Sequence, residues 1–294
     1  MIDQAQKLRE LVESRNLQKT SSPPTGNVNN KSCRSIAITS GKGGVGKTNI
    51  SLFLALVLAS TRKRVLLLDA DLGLANVHIL LGIAPKHDIS HFIKAECRLK
   101  DIICKGPGGI DILPGASGLE NLANLDSGRL ELLQHEFAAI EQDYDYILID
   151  TGAGIGAAVT QFASRADMAV LVMTPEPTSL ADAYAMVKVL YERGCTHIGT
   201  VVNMANSDID GSETFDRLNA IVVKFLKKPL ELLGTLPFDR DLPKCVRRQK
   251  LLVVEKAESG FTVRIQAIAR KISGSVPVRK QSFFSRLWER KLFG

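Results

Sequence analysis

With 294 residues the chain is long enough for one large α/β domain, and a composition 45% hydrophobic and 23% charged is that of a globular protein. Five cysteines, an odd number with no CxxC pair, argue against a disulfide framework or a zinc site, and the longest apolar run, residues 50–59, is too short to span a bilayer. The net charge of +7 belongs to the ends, +3 in residues 1–35 and +4 in residues 275–294, so the body is balanced and is not built throughout to coat nucleic acid.

The chain opens with a short amphipathic stretch that places Ile2, Ala5, Leu8 and Val12 on one helical face. It lacks the charged-then-apolar pattern of a secretory signal, so a cytoplasmic location is expected. Residues 20–31, rich in Pro, Ser and Asn and without apolar periodicity, read as a linker.

Strands are predicted at residues 36–39, 65–69, 110–113, 146–150, 168–174, 198–203 and 232–236, with helical stretches between them. Many of these strands are apolar on consecutive residues, the mark of burial on both faces. The fold class expected is therefore α/β, a mostly parallel twisted sheet flanked by helices. A second break falls at residues 273–277. After it, Phe283, Phe284, Leu287, Trp288 and Leu292 supply an apolar stripe with Arg286, Glu289 and Arg290 on the other side. That pattern predicts an interfacial membrane anchor, against the alternative of a terminal helix packed on the core. The domain plan is a helix at 1–19, a linker at 20–32, one domain at 33–273, and a linker with an amphipathic helix at 274–294.

Between the first strand and a leucine-rich helix lies Gly41-Lys42-Gly43-Gly44-Val45-Gly46-Lys47-Thr48, followed by Asn49. Glycines allow successive backbone N–H groups to turn toward one anion, and the helix N-terminus adds positive potential. Lys47 is placed for the β- and γ-phosphates of ATP and the Thr48 hydroxyl for Mg²⁺. Two further strands end in acids: Asp69 and Asp71 after the second, Asp150 before Thr151-Gly152-Ala153-Gly154. Ligands of open α/β sheets collect at such ends.

The extra lysine, Lys42, makes the loop resemble the deviant Walker A motif of the MinD/ParA family of P-loop NTPases. The resemblance covers residues 33–272. It implies an ATP-dependent homodimer in which Lys42 reaches the partner's phosphates, as an arginine finger does. It also implies that Asp71 orients the attacking water, that Asp69 and Asp150 serve Mg²⁺ beside Thr48, that Asn203 contacts adenine, and that Pro237-Phe238-Asp239 covers the base.

Asp3-Gln4-Ala5-Gln6-Lys7-Leu8-Arg9 resembles the D-Q-A-x-x-L-R motif at the start of FlhG proteins, also called FleN or YlxH, regulators of flagellar number and placement. That branch implies stimulation of an SRP-type GTPase, FlhF, by Asp3, Gln4, Ala5, Leu8 and Arg9. It further implies reversible attachment to the anionic inner membrane surface, partners among flagellar switch proteins or a flagellar transcription regulator, and no specific nucleic acid. The alternatives are a MinD-type division-site regulator, which lacks the N-terminal motif, and a ParA-type DNA-segregation ATPase, which needs a basic stripe on the body. An iron–sulfur reductase of related fold needs cysteines near the strand end that carries Asp150, and residues 150–156 have none.

Overall fold

A computed structural model describes residues 33–71, 76–94, 96–115, 127–277 and 281–287. The N-terminal motif, the linker, Trp288 and Leu292 lie outside the described residues.

The described chain runs β1 (Arg34–Ser40), α1 (Lys47–Ser60), β2 (Val65–Ala70), α2 (Val77–Leu80), α3 (Ile89–Ile93), α4 (Leu99–Ile102), β3 (Cys104–Lys105), β4 (Asp111–Leu113) and α5 (Ser127–Glu141). It continues through β5 (Tyr146–Ala153), α6 (Ala157–Arg165), β6 (Met168–Met173), α7 (Pro177–Glu192), β7 (Ile198–Ala205), α8 (Asp208–Leu226) and β8 (Glu231–Pro237). Four helices close it: α9 (Leu242–Arg247), α10 (Leu252–Glu255), α11 (Gly260–Ser275) and α12 (Phe283–Leu287).

Eight strands form one sheet in the order β3-β4-β2-β5-β1-β6-β7-β8, parallel except for the β3–β4 pair at one edge. Successive residues of the central strands alternate between two cores. Ala37, Leu66, Leu68, Ile147 and Ile149 face one side of the sheet, while Ile36, Ile38, Val65, Leu67 and Leu148 face the other. This is why those strands read as continuous apolar runs. The first core is closed by α5, α6, α7 and α8, and the second by α1 and α11, where Phe53 meets Phe261 edge to face at 5.7 Å.

Two sequence expectations change at the C-terminus. α11 continues through Ser273-Gly274-Ser275, so the chain leaves the helix only at Val276 and Pro277. The expected membrane-facing stripe is corrected more substantially. Phe283, Phe284 and Leu287 are 0%, 1% and 2% exposed, packed into the first core with Phe284 4.3 Å from the Phe137 ring of α5. Polar contacts lock this docking. Glu141 accepts from the Phe283 N–H (2.9 Å) and the Phe284 N–H (3.2 Å), so it caps the start of α12. Arg286 donates to Asp167 at 2.8 Å and to the Arg165 carbonyl at 2.9 Å, and Asp167 also accepts from the Ser35 hydroxyl and N–H. A buried guanidinium paired with a buried carboxylate and fixed by further hydrogen bonds opposes spontaneous release.

Candidate functional site

The phosphate loop leaves β1 at Ser40 and enters α1 at Lys47. Gly44 (φ 78°) and Gly46 (φ 91°) adopt left-handed backbone that side chains disfavour. Gly41 has a different reason to be glycine, since a Cβ there would stand 2.1 Å from the Asp182 carbonyl oxygen of α7. The loop is thus wedged against α7 while Gly43 and Gly44 stay exposed.

Beneath the loop the carboxyl ends of β2 and β5 bring Asp69 and Asp150 into register as neighbours. Asp150 is 2% exposed, and burial, with the nearby Asp69 charge adding, pushes its carboxyl up to about 7 against hydrogen bonds from Thr48 and Ser51 and the Lys47 charge. Lys47 is 9% exposed and shifted down by burial, a shift that Asp150 and Asp71 oppose. Ser51, one turn along α1 from Lys47, holds Asp150 with its hydroxyl at 2.9 Å. The motif did not single it out, although its spacing from Lys47 puts it on the same helix face.

Asp69 has a second task. Its oxygens accept from the Asp71 N–H (3.3 Å) and the Val77 N–H (3.1 Å), with Asn76 contributing, so it ties down both ends of the loop that carries Asp71. Burial raises its own carboxyl, partly offset by these bonds. Asp71 approaches the end of β5, where a Cβ on Gly152 would lie 3.4 Å from its Oδ1. The residue that follows β5, Gly154, is joined to the phosphate loop's root by its N–H to the Ser40 carbonyl at 3.0 Å.

Asn203, at 3% exposure near the end of β7, donates from Nδ2 to the Val45 carbonyl at 2.8 Å. Its amide orientation is therefore set, with Oδ1 as the remaining acceptor. Pro237 ends β8 and Phe238, 56% exposed, is bonded through its N–H to the Ala205 carbonyl. Asp239 accepts from the Asp241 N–H at 2.8 Å, which shapes the turn into α9.

Lys42 is held in a way the sequence did not reveal. Its Nζ lies 2.5 Å from Glu176 Oε2 and 3.0 Å from Thr178 Oγ1, both at the start of α7. The sites expected from the phosphate loop and the strand ends thus converge, and Phe283, Phe284 and Leu287 in α12 lie at the opposite end of the sheet.

A cation fits the acid pair. Among the described residues no group of three or more His, Cys, Asp or Glu side chains could hold a metal by itself. Two adjacent buried carboxylates, both shifted upward by burial, beside a hydroxyl and an anion-binding loop make a donor set that suits Mg²⁺ completed by phosphate oxygens.

A mostly parallel sheet with this loop at the end of β1, and acids toward the ends of β5 beside it and β2 beyond, defines a P-loop NTPase. Residues 33–194 match a family model described as an AAA domain, and residues 132–273 match one described as NUBPL iron-transfer P-loop NTPase. The antiactivator FleN of Pseudomonas aeruginosa is 41% identical over 238 residues, covering 81% of this chain and 85% of its own. The flagellum site-determining protein YlxH of Helicobacter pylori is 35% identical, covering 92% and 95%. The MinD cell division protein of Aquifex aeolicus superposes with a TM-score of 0.65 at 27% identity, covering 84% of this chain and 100% of its own. The chain belongs to the MinD/ParA family of P-loop ATPases, and within it to the FlhG group that includes FleN and YlxH.

Proposed function

We propose that this chain is an ATP-driven switch that pairs two copies around Mg·ATP and, in that state, controls flagellar number or placement. The observation that carries the reading is the position of Lys42. It stands on the exposed rim of a complete phosphate site, where its charge serves no group of its own nucleotide cradle and is balanced by Glu176 instead.

In the proposed cycle, the loop N–H groups and Lys47 hold the phosphates, and Asn203 Oδ1 accepts from the exocyclic amine of adenine while Pro237, Phe238 and Asp239 border the ring. Thr48 and Asp150, with Asp69 behind them, would hold Mg²⁺, which would supply charge neutralisation at the phosphate oxygens. Lys42 leaves Glu176 and adds its charge to the phosphates of the partner copy. Asp71, steadied through Asp69 and beside Gly152, orients the attacking water and receives its proton. Loss of the γ-phosphate relaxes the Gly152–Gly154 loop and the pair separates.

The flagellar assignment rests on the relatives FleN, named an antiactivator, and YlxH, named a flagellum site-determining protein. The motif at Asp3, Gln4, Ala5, Leu8 and Arg9 supports an FlhF-type GTPase as partner, and flagellar switch proteins or a transcription regulator complete the set. Peripheral attachment to an anionic membrane face is part of the same reading. With α12 docked, lipid contact falls to residues from Trp288 onward, because Phe283, Phe284 and Leu287 are in the core.

The deciding experiment compares FlhF GTPase turnover with the full chain and with a chain lacking residues 1–20. Stimulation by the full chain alone is expected. Equal turnover with both removes the regulator assignment and leaves the ATPase.

A further inference from the structure

The last turn of α8 and the residues after it read Val222-Val223-Lys224-Phe225-Leu226-Lys227-Lys228. Val222 is in the core, whereas Val223, Lys224, Phe225, Lys227 and Lys228 are exposed. Phe225 keeps 62% of its surface in solvent although it meets the Tyr184 ring of α7 edge-on at 6.4 Å. Lys224 Nζ lies 5.3 Å from the centre of the Phe225 ring, and Lys228 Nζ lies 4.8 Å from that of Tyr191. The helix is closed by Lys227 in a left-handed conformation (φ 59°), with its N–H bonded to the Val223 carbonyl.

Residues 218–230 contain three lysines and no acid. Toward the end of α7, Glu192 is paired with Lys188, and Glu231 opens β8. A large aromatic ring is therefore held out into water among cations, at a cost that core packing does not explain.

Location narrows the occupant. The helices α6, α7 and α8 each return from the phosphate end of a parallel sheet, so their C-termini lie at the same opposite end. α12 docks at that end too, through Arg286 on the Arg165 carbonyl and Asp167. It is also on the same side of the sheet as α8, since Phe283, Leu287, Leu218 and Val222 share one core. From Leu287 the sequence continues Trp288-Glu289-Arg290-Lys291-Leu292-Phe293. The α8 corner thus belongs to the end and face of the sheet at which the described chain reaches Leu287.

We propose that the α8 corner, Lys224-Phe225 with Lys227 and Lys228, is a second lipid-contacting surface, occupied by an anionic bilayer when the chain is on a membrane. This rests on the membrane reading above and extends it from the tail to the folded body. Lysines near an anionic leaflet attract it at a range set by salt, and a protruding phenylalanine beside them inserts at the headgroup boundary. Neither group alone holds the protein, but a corner and a tail acting on one surface reinforce each other.

The test is sedimentation of the full chain with Mg·ATP and vesicles of phosphatidylcholine alone or mixed with phosphatidylglycerol. Four proteins are compared: unaltered, Phe225→Ser, the triple change Lys224→Ser with Lys227→Ser and Lys228→Ser, and Trp288→Ser as a tail control. The triple change is expected to lower affinity for the anionic vesicles about ten-fold or more and to flatten its salt dependence. Phe225→Ser is expected to lower it by about five-fold. ATP turnover and thermal unfolding should be unchanged in both. Corner variants that sediment like the unaltered chain, while Trp288→Ser does not, overturn the corner and leave the tail standing. An unaltered chain that ignores anionic vesicles overturns both. Loss of binding to an acidic polypeptide such as polyglutamate, with vesicle binding intact, overturns the lipid assignment in favour of a protein partner.

Discussion

Lys42 and Glu176, separated by 134 positions in sequence, meet at 2.5 Å across the mouth of the phosphate loop. The lysine side chain is 36% exposed and the glutamate 62%, so water screens the pair. An exposed ion pair of this kind contributes about 0–1 kcal/mol. That is enough to hold the lysine against its own subunit and too little to keep it from a stronger anion. Glu176 therefore opposes pairing weakly. Glu176→Gln is expected to strengthen ATP-dependent dimerisation by up to about five-fold per protomer, read from the dissociation constant in sedimentation equilibrium. Weaker pairing would show that Glu176 is instead a contact across the interface.

Asp150 makes stability depend on pH. Its carboxyl, pushed up to about 7 by burial, lies above the ordinary unfolded value of about 4. The folded protein thus retains a proton that the unfolded chain has released. The stabilisation is full below about pH 4 and is lost as pH rises through about 7. The urea midpoint of the nucleotide-free protein should fall between pH 5 and pH 8, and Asp150→Asn should flatten that fall. Mg·ATP should offset it by supplying the missing counter-charge. Identical pH profiles for Asp150→Asn and the unaltered chain would contradict this.

Asp71→Ala should bind ATP and remain paired, because the phosphate loop and Lys42 are untouched, while turnover drops at least about 100-fold. Single-turnover hydrolysis with a parallel mass measurement separates the two effects. A monomeric variant would mean that Asp71 builds the interface and does not act on water.

The docking of α12 has a measurable worth. Phe284→Ala removes a fully buried ring and is expected to cost about 3–5 kcal/mol in urea unfolding. Arg286→Met strands the buried Asp167 carboxylate and should cost a similar amount, about 3–5 kcal/mol. A change below about 1 kcal/mol in both variants would show that the segment is only loosely seated.

Much of this molecule was legible in its residues, and the exceptions share a cause. The parallel strands could be read because a sheet buried on both faces demands unbroken apolar runs, as at Val65-Leu66-Leu67-Leu68. The phosphate loop could be read because backbone N–H groups converge on an anion only with glycine at positions such as Gly44 and Gly46. The two-residue strand β3 was not legible, since nothing so short carries a period. Nor was the docking of α12, because a stripe of Phe283, Phe284 and Leu287 beside arginine is written alike for a core and for a bilayer. Arg286 and Asp167, far apart in the chain, decide between them only once folded. Glu176 as the holder of Lys42 and Ser51 as the support of Asp150 are likewise contacts of the folded chain, without a local signature.

The central claim is that each protomer's Lys42 reports the nucleotide of its neighbour. It is tested most directly by sedimentation equilibrium of the unaltered chain and of Lys42→Ala, each with a non-hydrolysable ATP analogue, alongside a filter assay for nucleotide binding. The account predicts a dimer for the unaltered chain and a nucleotide-bound monomer for Lys42→Ala. Lys42→Ala protein that pairs with the same dissociation constant as the unaltered chain would contradict it.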